Sequence, residues 1–450
     1  MYSFSKYTRT FLTLLHLVLG VLLLLGSVSK IYSILILFIG LLVIFKTKNK
    51  HNEAMFWSGY LVGGEVLFRM SGGMFFHELP KYAVLLFLFM GLMVETKRHH
   101  VSVSYLIYIL LLLIGIAFVD IPFNESIRKA IAFNLSGPIL LGVAAIYFYG
   151  RKITLTALLN VLFVMCLPII SMLSYLYFKT PDIKDIAFGG TANFETSGGY
   201  GPNQVATILG LGVFILVVHL FLKKRFLFVF SLDILLLLYL LFRGLITLSR
   251  GGMLTAFIAI VAFAFFYILS REDRVISFLK YAGLMTLFLL ITWIYSADLT
   301  GGMLTNRYAN KNAAGVVKED VSTGRIDLFE SELEAFFEHP FFGIGVGGSK
   351  YKRIDESDIV AASHNEISRL LGEHGMIGLL ILGILLIIPI RNMFKQPLLT
   401  VAFLSAFLIF WFLTINHSAM RVAFPAFIYG LSLIILEKDK ENEEATVYRK

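Results

Sequence analysis

A single cysteine among 450 residues, Cys166, lies inside an apolar run. No intrachain disulfide is possible, and no thiolate metal site can be built from it. Charge is also scarce: 15% of residues are charged, against about 25% in an ordinary soluble domain. Only three tryptophans accompany 42 Phe and 20 Tyr. What the chain has in excess is apolar surface, with 58% hydrophobic residues and a mean hydropathy of +0.80. One water-soluble core cannot hide that much, so the composition specifies a polytopic membrane protein.

A membrane-crossing helix needs about 20 apolar residues, within a range of about 17–25. Runs of this kind predict spans near 11–28, 31–46, 54–69, 81–95, 102–119, 130–149, 154–178, 201–222, 226–246, 251–270, 274–296, 375–391, 397–415 and 418–436. The expected fold class is therefore all-α, a transmembrane helical bundle of about 12–14 spans. The first apolar run, Phe11 to Leu25 behind Lys6 and Arg9, has the outline of a signal peptide. No clear small-x-small cleavage site follows, so it is expected to remain as the first span.

The net charge of +9 admits two partners, nucleic acid or an anionic membrane. Position decides between them. Basic clusters at Lys6/Arg9, Lys46/Lys48/Lys50, Lys97/Arg98, Arg151/Lys152, Lys223/Lys224/Arg225, Arg271/Arg274, Arg391/Lys395 and Lys438/Lys440/Arg449/Lys450 all fall on one side of the predicted spans. By the positive-inside rule both termini are expected in the cytoplasm, with no nucleic acid as partner.

Two segments on the other side break the rhythm. Residues 179–200 are a Gly/Thr/Asn-rich loop of turn formers. Residues 297–374 form a long polar insert with 8 Lys/Arg and 13 Asp/Glu. The expected organisation is thus N-terminal spans over 1–178 and central spans with an outer loop over 179–296. A large extracytoplasmic loop with short helices (297–374), C-terminal spans (375–436) and a cytoplasmic tail (437–450) follow. Within the insert, Ile326, Phe329, Leu333 and Phe336 recur at helical spacing. Ser322 or Thr323 can cap that helix, Asp327 suits its positive end, and Pro340 stops it.

The residues able to do chemistry gather on this loop side. Ser249-Arg250-Gly251-Gly252 lies at a helix mouth, where the glycines allow close backbone approach and Arg250 offers a five-donor fork for a diphosphate. The plainer reading is an interfacial anchor. Gly324-Arg325 opens the amphipathic helix, a place where backbone N–H groups and a guanidinium together suit an anion. Read alone, Arg325 is a solvated loop charge. Ser363-His364-Asn365-Glu366 brings a histidine able to take a proton from a sugar hydroxyl. His364 and His374 lie ten residues apart, which is not the spacing of a helical metal pair, and no metal site is expected. Asn203 and Gln204 can hydrogen-bond sugar hydroxyls, and Asn203 can equally cap the span it opens.

Pro340-Phe341-Phe342-Gly343-Ile344-Gly345-Val346-Gly347-Gly348 lacks the Gly-Lys-Ser/Thr of a phosphate loop and reads better as a backbone hinge. Glu65 and Arg69, one helical turn apart in the third span, read as a structural ion pair. Glu78, Asp120 and Arg128 lie at span ends, where solvent accounts for them.

In order along the chain, Asn-Gln before one span and Ser-Arg-Gly-Gly before another precede Gly-Arg, Pro-Phe-Phe-Gly-Ile-Gly-Val-Gly, His-Asn-Glu and Glu-His-Gly-Met-Ile-Gly. The series resembles the O-antigen ligase and polymerase superfamily over about residues 198–385. The resemblance implies a GT-C-like membrane glycosyltransferase, inverting and metal-independent, with its site on the outer face of the bacterial cytoplasmic membrane. Its implied partners are a polyprenyl (undecaprenyl) diphosphate-linked glycan donor, a glycan or lipid-linked acceptor, and membrane lipid; no cofactor is implied. Carried over by position, Arg250 and Arg325 bind the donor diphosphate and His364 is the catalytic base, with Asn203, Gln204 and Asn365 contacting acceptor or sugar.

Four readings stand at this point. A ligase and a polysaccharide polymerase (O-antigen, capsule or exopolysaccharide) break the same donor bond and differ in acceptor. A lipid-linked oligosaccharide flippase, a transporter, predicts charges scattered through the middle of many spans and no long loop. A cell-wall polymerase needs an acidic catalytic residue in the loop, where Asp298, Asp320 and Asp327 stand without a recognisable context.

Overall fold

A computed structural model describes residues 4–96, 100–119, 121, 126–318, 322, 324–357 and 361–437. Lys97, Arg98, Asp120, Asp320, Thr323, Lys438, Lys440, Arg449 and Lys450 lie outside the described residues. The expected all-α bundle is what is found. Apolar helices occupy the predicted places: α1 (Lys6–Leu22), α2 (Gly26–Thr47), α3 (Glu53–Met70), α4 (Leu79–Val94), α5 (Val103–Ile114), α6 (Ile127–Phe148), α7 (Leu155–Lys179), α8 (Pro202–Phe221), α9 (Phe230–Ile246), α10 (Arg250–Leu269) and α11 (Arg274–Leu299). The polar insert folds into α12 (Met303–Tyr308), α13 (Arg325–Glu338), α14 (Gly348–Ser357) and α15 (Glu366–His374). Then come α16 (Met376–Met393), α17 (Leu398–Ser418) and α18 (Phe424–Leu431). Eight of these helices are both long and apolar enough to cross a membrane: α2, α6, α7, α8, α10, α11, α16 and α17.

The last predicted span, 418–436, is corrected. It holds only the eight-residue α18, flanked by a turn at 419–423 and by a strand, β2 (Ile435–Glu437). β2 pairs in parallel with β1 (Lys152–Thr154), which follows α6. At its other end α18 begins against Glu65, whose Oε2 accepts from the Ala423 amide at 2.6 Å. Glu65 lies five residues before the end of α3, about 7.5 Å at the helical rise. The turn is therefore recessed below the end of α3, and a short helix covers the remaining distance.

That turn is fixed on several sides. Glu65 and Arg69 form the expected ion pair at 2.5 Å, and both are buried. Arg69 Nη1 donates to the Arg421 carbonyl at 3.1 Å, and the Ala419 amide donates to the His364 carbonyl at 3.1 Å. Glu78, expected to be solvated, is instead mostly buried, paired with Lys81 and accepting from Ser136 Oγ at 3.0 Å. Lys81 in turn reaches the Met420 carbonyl at 3.5 Å.

At the opposite, basic face the predicted cationic clusters are partly tied down. Arg151 grips the Glu95 carboxylate with two nitrogens at 3.0 and 2.9 Å, and Arg9 donates to Asn160 Oδ1 at 2.7 Å.

The helix expected in the insert is present as α13, and Ser322 Oγ accepts from the Ile326 amide at 3.3 Å. Its buried face differs from the predicted one. Leu328, Glu332 and Ala335 face inward while Ile326 and Phe329 are exposed. The inward face is chosen by charge: Glu332 pairs with the buried Arg353 at 3.1 Å and accepts from Ser368 Oγ at 2.5 Å. Apolar periodicity alone cannot see such a pairing.

Small residues let the spans touch, as is usual where lipid gives no hydrophobic drive between helices. A side chain at Gly63 of α3 would begin 2.0 Å from the Met165 carbonyl oxygen of α7. Gly63→Leu is expected to destabilise the bundle by about 1–3 kcal/mol, as overpacking does. The check is the thermal midpoint in detergent, with Gly283→Ala, which meets nothing within 4 Å, expected to melt like the wild type. Equal midpoints for all three proteins would contradict the α3–α7 packing.

Candidate functional site

The ends of α8, α10 and α17, capped by the insert, build one polar region. Ser249 Oγ donates to Asn203 Oδ1 at 2.7 Å, joining the start of α10 to the start of α8. Asn203 thus neither caps α8, whose N-cap is Gly201, nor is left unengaged. Gln204, one residue on, has a buried Oε1 with no partner. The two glycines after Arg250 serve close approach within a helix. A Cβ at Gly252 would lie 2.5 Å from the Thr207 amide nitrogen, and one at Gly251 2.7 Å from the His417 ring. Packed this tightly, positions 251 and 252 of α10 have no room for a side chain, and Arg250 carries the only charge of that turn.

Arg250 Nη1 hydrogen-bonds Asn310 Oδ1 in the segment after α12. Arg307, on α12, donates to the Leu248 carbonyl at 3.2 Å and the Gly190 carbonyl at 3.1 Å. Arg325 opens α13, as expected. These side chains are close enough for their charges to act on one another. Burial, then the charges of Arg250 and Arg325, push Arg307 below the usual guanidinium range. Burial followed by Arg250 does the same to Arg325. Arg325, on which Arg250 acts, also acts on His364. Among the described residues, no ion pair involves Arg307, Arg325 or Arg421. Guanidiniums gathered this way have the chemistry to hold an anion.

His364 is half-buried in the linker before α15, and its Nδ1 is buried without a partner. Burial, then Arg421, Arg325, His417 and Arg353, lower its pKa to about 4. Its neighbours are cations rather than the carboxylate that orients histidine in many acid–base pairs. Asn365 caps α15, its Oδ1 accepting from the Ile367 amide at 2.9 Å and the Ser368 amide at 3.4 Å. That cap aims His364 but commits the Asn365 carbonyl oxygen.

Three members of this neighbourhood are not apparent from the sequence. Arg421 Nη2 donates to the carbonyls of Ala362 and Ser363 at 3.2 and 3.0 Å, holding the His364 linker. A signal was present: an arginine within an apparent span costs about 2.5–3.5 kcal/mol on insertion scales and calls for a reason. His417 on α17 lies within reach of Thr207 and Thr255, at 3.3 and 3.4 Å. Arg307 carries no distinguishing sequence context.

The glycine-rich segment 340–348 is a clamp rather than a hinge. Its amides are spent on carbonyls: Ile344 to Gly372, Gly345 to Glu373 and Val346 to Gly115, at 3.0, 3.1 and 3.1 Å. Gly343 and Gly345 have φ of +70° and +78°. A Cβ at Gly345 would lie 2.1 Å from the Phe118 carbonyl oxygen. The clamp locks this segment onto α15 and onto the turn after α5, and α15 is stitched internally by Arg369 between Glu366 and Glu373. Among the described residues no group of three His, Cys, Asp or Glu side chains could hold a metal ion.

Below the arginines, α8, α9, α10 and α11 enclose an apolar groove of about 380 Å3. Leu237, Leu254, Phe257, Leu289 and Trp293 line it, and Tyr308 stands at one end. Tyr308 feels the charges of Arg250 and Arg307, so the groove rises to the cationic cluster.

The molecule is thus an integral membrane protein of the helical, polytopic class, with a cluster of arginines at its loop face. Residues 235–383 match the family model described as O-antigen ligase, so this region is similar to the O-antigen ligase and polymerase superfamily. Such proteins are glycosyltransferase-like enzymes acting on lipid-linked glycans. The matched stretch contains Arg250, Arg307, Arg325 and His364, and ends before His417 and Arg421. No curated protein matches the chain.

The cationic surroundings of His364 make a titration prediction. With a pKa of about 4, its imidazole is neutral throughout the physiological range. Arg421→Gln removes one lowering charge, so the pKa should rise toward the ordinary histidine value of about 6.5. NMR of isotopically labelled histidine in wild type and variant reads this directly. An unchanged or lowered midpoint in the variant would show that Arg421 does not act on His364.

Proposed function

We propose that this protein transfers a glycan from a polyprenyl diphosphate donor to an acceptor hydroxyl at the outer face of the cytoplasmic membrane. The observation that carries the reading is the arginine cluster at the end of an apolar groove, in which Arg307 and Arg325 make no ion pair among the described residues. A lipid diphosphate is the ligand whose two halves suit those two surfaces. Its chain lies in the groove between α9, α10 and α11, and its diphosphate meets Arg250, Arg307 and Arg325.

Negative charge grows on the diphosphate as the glycosidic bond breaks. Guanidiniums aimed at it stabilise the transition state more than the ground state. The acceptor hydroxyl attacks from the opposite face of the sugar, so the anomeric centre inverts. His364 takes the hydroxyl proton. In the empty site its cationic neighbours make it a weak base. A bound diphosphate neutralises those cations and raises its basicity, so proton abstraction is coupled to donor binding. The activated bond arrives with the donor, so the reaction calls on no nucleotide. With the basic face in the cytoplasm, the site opens outward.

The test is polysaccharide transfer in a strain lacking the gene, complemented with variants at matched membrane levels. Arg250→Ala and Arg325→Ala are each expected to lose about 10²-fold or more, in the range for removing one transition-state donor. His364→Ala is expected to lose about 10²–10⁴-fold. Polyprenyl-linked donor should accumulate in each case. Wild-type transfer in all three variants would end the proposal. Analysing the product, as glycan on a distinct carrier or as a lengthened polyprenyl-linked chain, separates ligase from polymerase.

A further inference from the structure

A second groove, of about 800 Å3, lies on other faces of α9 and α11 and is completed by the segment that follows α7. Tyr177, Tyr239, Phe242 and Tyr295 form aromatic walls, while Leu235 and Ile291 carry it along the two helices. Arg243, in the last turn of α9, lines the loop end. It is 2% exposed. Its Nη2 donates to Thr180 Oγ1 at 2.8 Å, to the Thr196 carbonyl at 3.0 Å and to the Leu176 carbonyl at 3.4 Å. Its Nε is buried with no partner, and Nη1 makes no hydrogen bond among the described residues. No described carboxylate pairs with it. A buried guanidinium without a counter-charge is costly, and the cost is relieved when an anion binds.

We propose that this groove is a lipid site. It holds one monoanionic phospholipid of the loop-side leaflet, with the phosphodiester at the Arg243 guanidinium and the acyl chains along α9 and α11. Charge matching selects this occupant. Among the described residues, Arg243 is the only basic side chain lining the groove, and the one acid there, Asp182, is exposed and uses Oδ1 to cap a short turn at the Lys184 amide, 3.1 Å away. One guanidinium balances a phosphodiester of charge −1. A lipid diphosphate brings more negative charge than one guanidinium beside an aspartate can offset, whereas the site at Arg250, Arg307 and Arg325 can offset it. The aromatic walls and apolar floor suit acyl chains, and the arginine at the loop end sits where a headgroup would be. The bound lipid would brace α11, only 22% of whose apolar window is buried by protein, from the side opposite the donor groove. This inference stands apart from the transfer reaction.

The experiment is native mass spectrometry of the delipidated full chain in detergent, with phosphatidylglycerol, phosphatidylcholine of the same chains, or a polyprenyl diphosphate added back. The expected result is one retained phosphatidylglycerol per chain, bound at least about tenfold more tightly than phosphatidylcholine, about 1.4 kcal/mol at 25 °C. Arg243→Gln should remove that preference and Arg243→Lys should keep part of it. Leu238→Trp leaves Arg243 in place but fills the groove, and should also lower retention, which carries the test if Arg243→Gln folds poorly. Equal retention of the two phospholipids by wild type would overturn the proposal. Displacement of phosphatidylglycerol from this groove by the polyprenyl diphosphate, lost in Leu238→Trp, would overturn it too and make the groove a second carrier site.

Discussion

The buried pair of Glu65 and Arg69 is the constraint on which the loop face depends. Neither charge is stable in that environment alone, and their pairing leaves one carboxylate oxygen and one guanidinium nitrogen to grip the turn between α17 and α18. The turn then holds the His364 carbonyl through Ala419, and Arg421 holds the two residues before His364. An ion pair in the third helix thus sets the height and orientation of a histidine some three hundred residues later. Buried pairs contribute little net stability compared with apolar packing. Here the pair defines position.

The second organising feature is an imbalance of charge. The insert is acidic overall, yet its described carboxylates are turned inward against Arg353 and Arg369 or outward to solvent. The guanidiniums of Arg307, Arg325 and Arg421 are left facing one another without ion pairs among the described residues. Mutual repulsion is tolerated because Arg307 and Arg421 are tied to backbone carbonyls, which satisfy their donors without cancelling their charge. Such a site is poised to gain energy from an anion. It also holds the His364 imidazole neutral, the form able to accept a proton.

Much of the fold was legible in the sequence because lipid imposes a simple rule: backbone polar groups must be satisfied within each span, so apolar runs become helices. The exceptions have local causes. The last predicted span fails because Arg421 is drawn to the recessed turn and β2 pairs with β1, leaving room for eight helical residues. The face of α13 fails because Glu332 finds Arg353 and Ser368, partners from other elements that apolar spacing does not register. The glycines of 343–347 were recognisable as special backbone, but whether they flex or clamp depends on carbonyls of α15 and of the turn after α5.

The sequence by itself determined the class of protein and the places of most helices, and it singled out Arg250, Arg325 and His364 as candidates. Hydropathy and short motifs suffice for these because each is written in contiguous residues. Only the tertiary structure decided that Arg307, His417 and Arg421 join that neighbourhood, that Asn203 and Asn365 brace helix starts, and that two grooves flank α9 and α11. Those outcomes depend on charges and close contacts between segments far apart in the chain, which become neighbours only when the bundle packs.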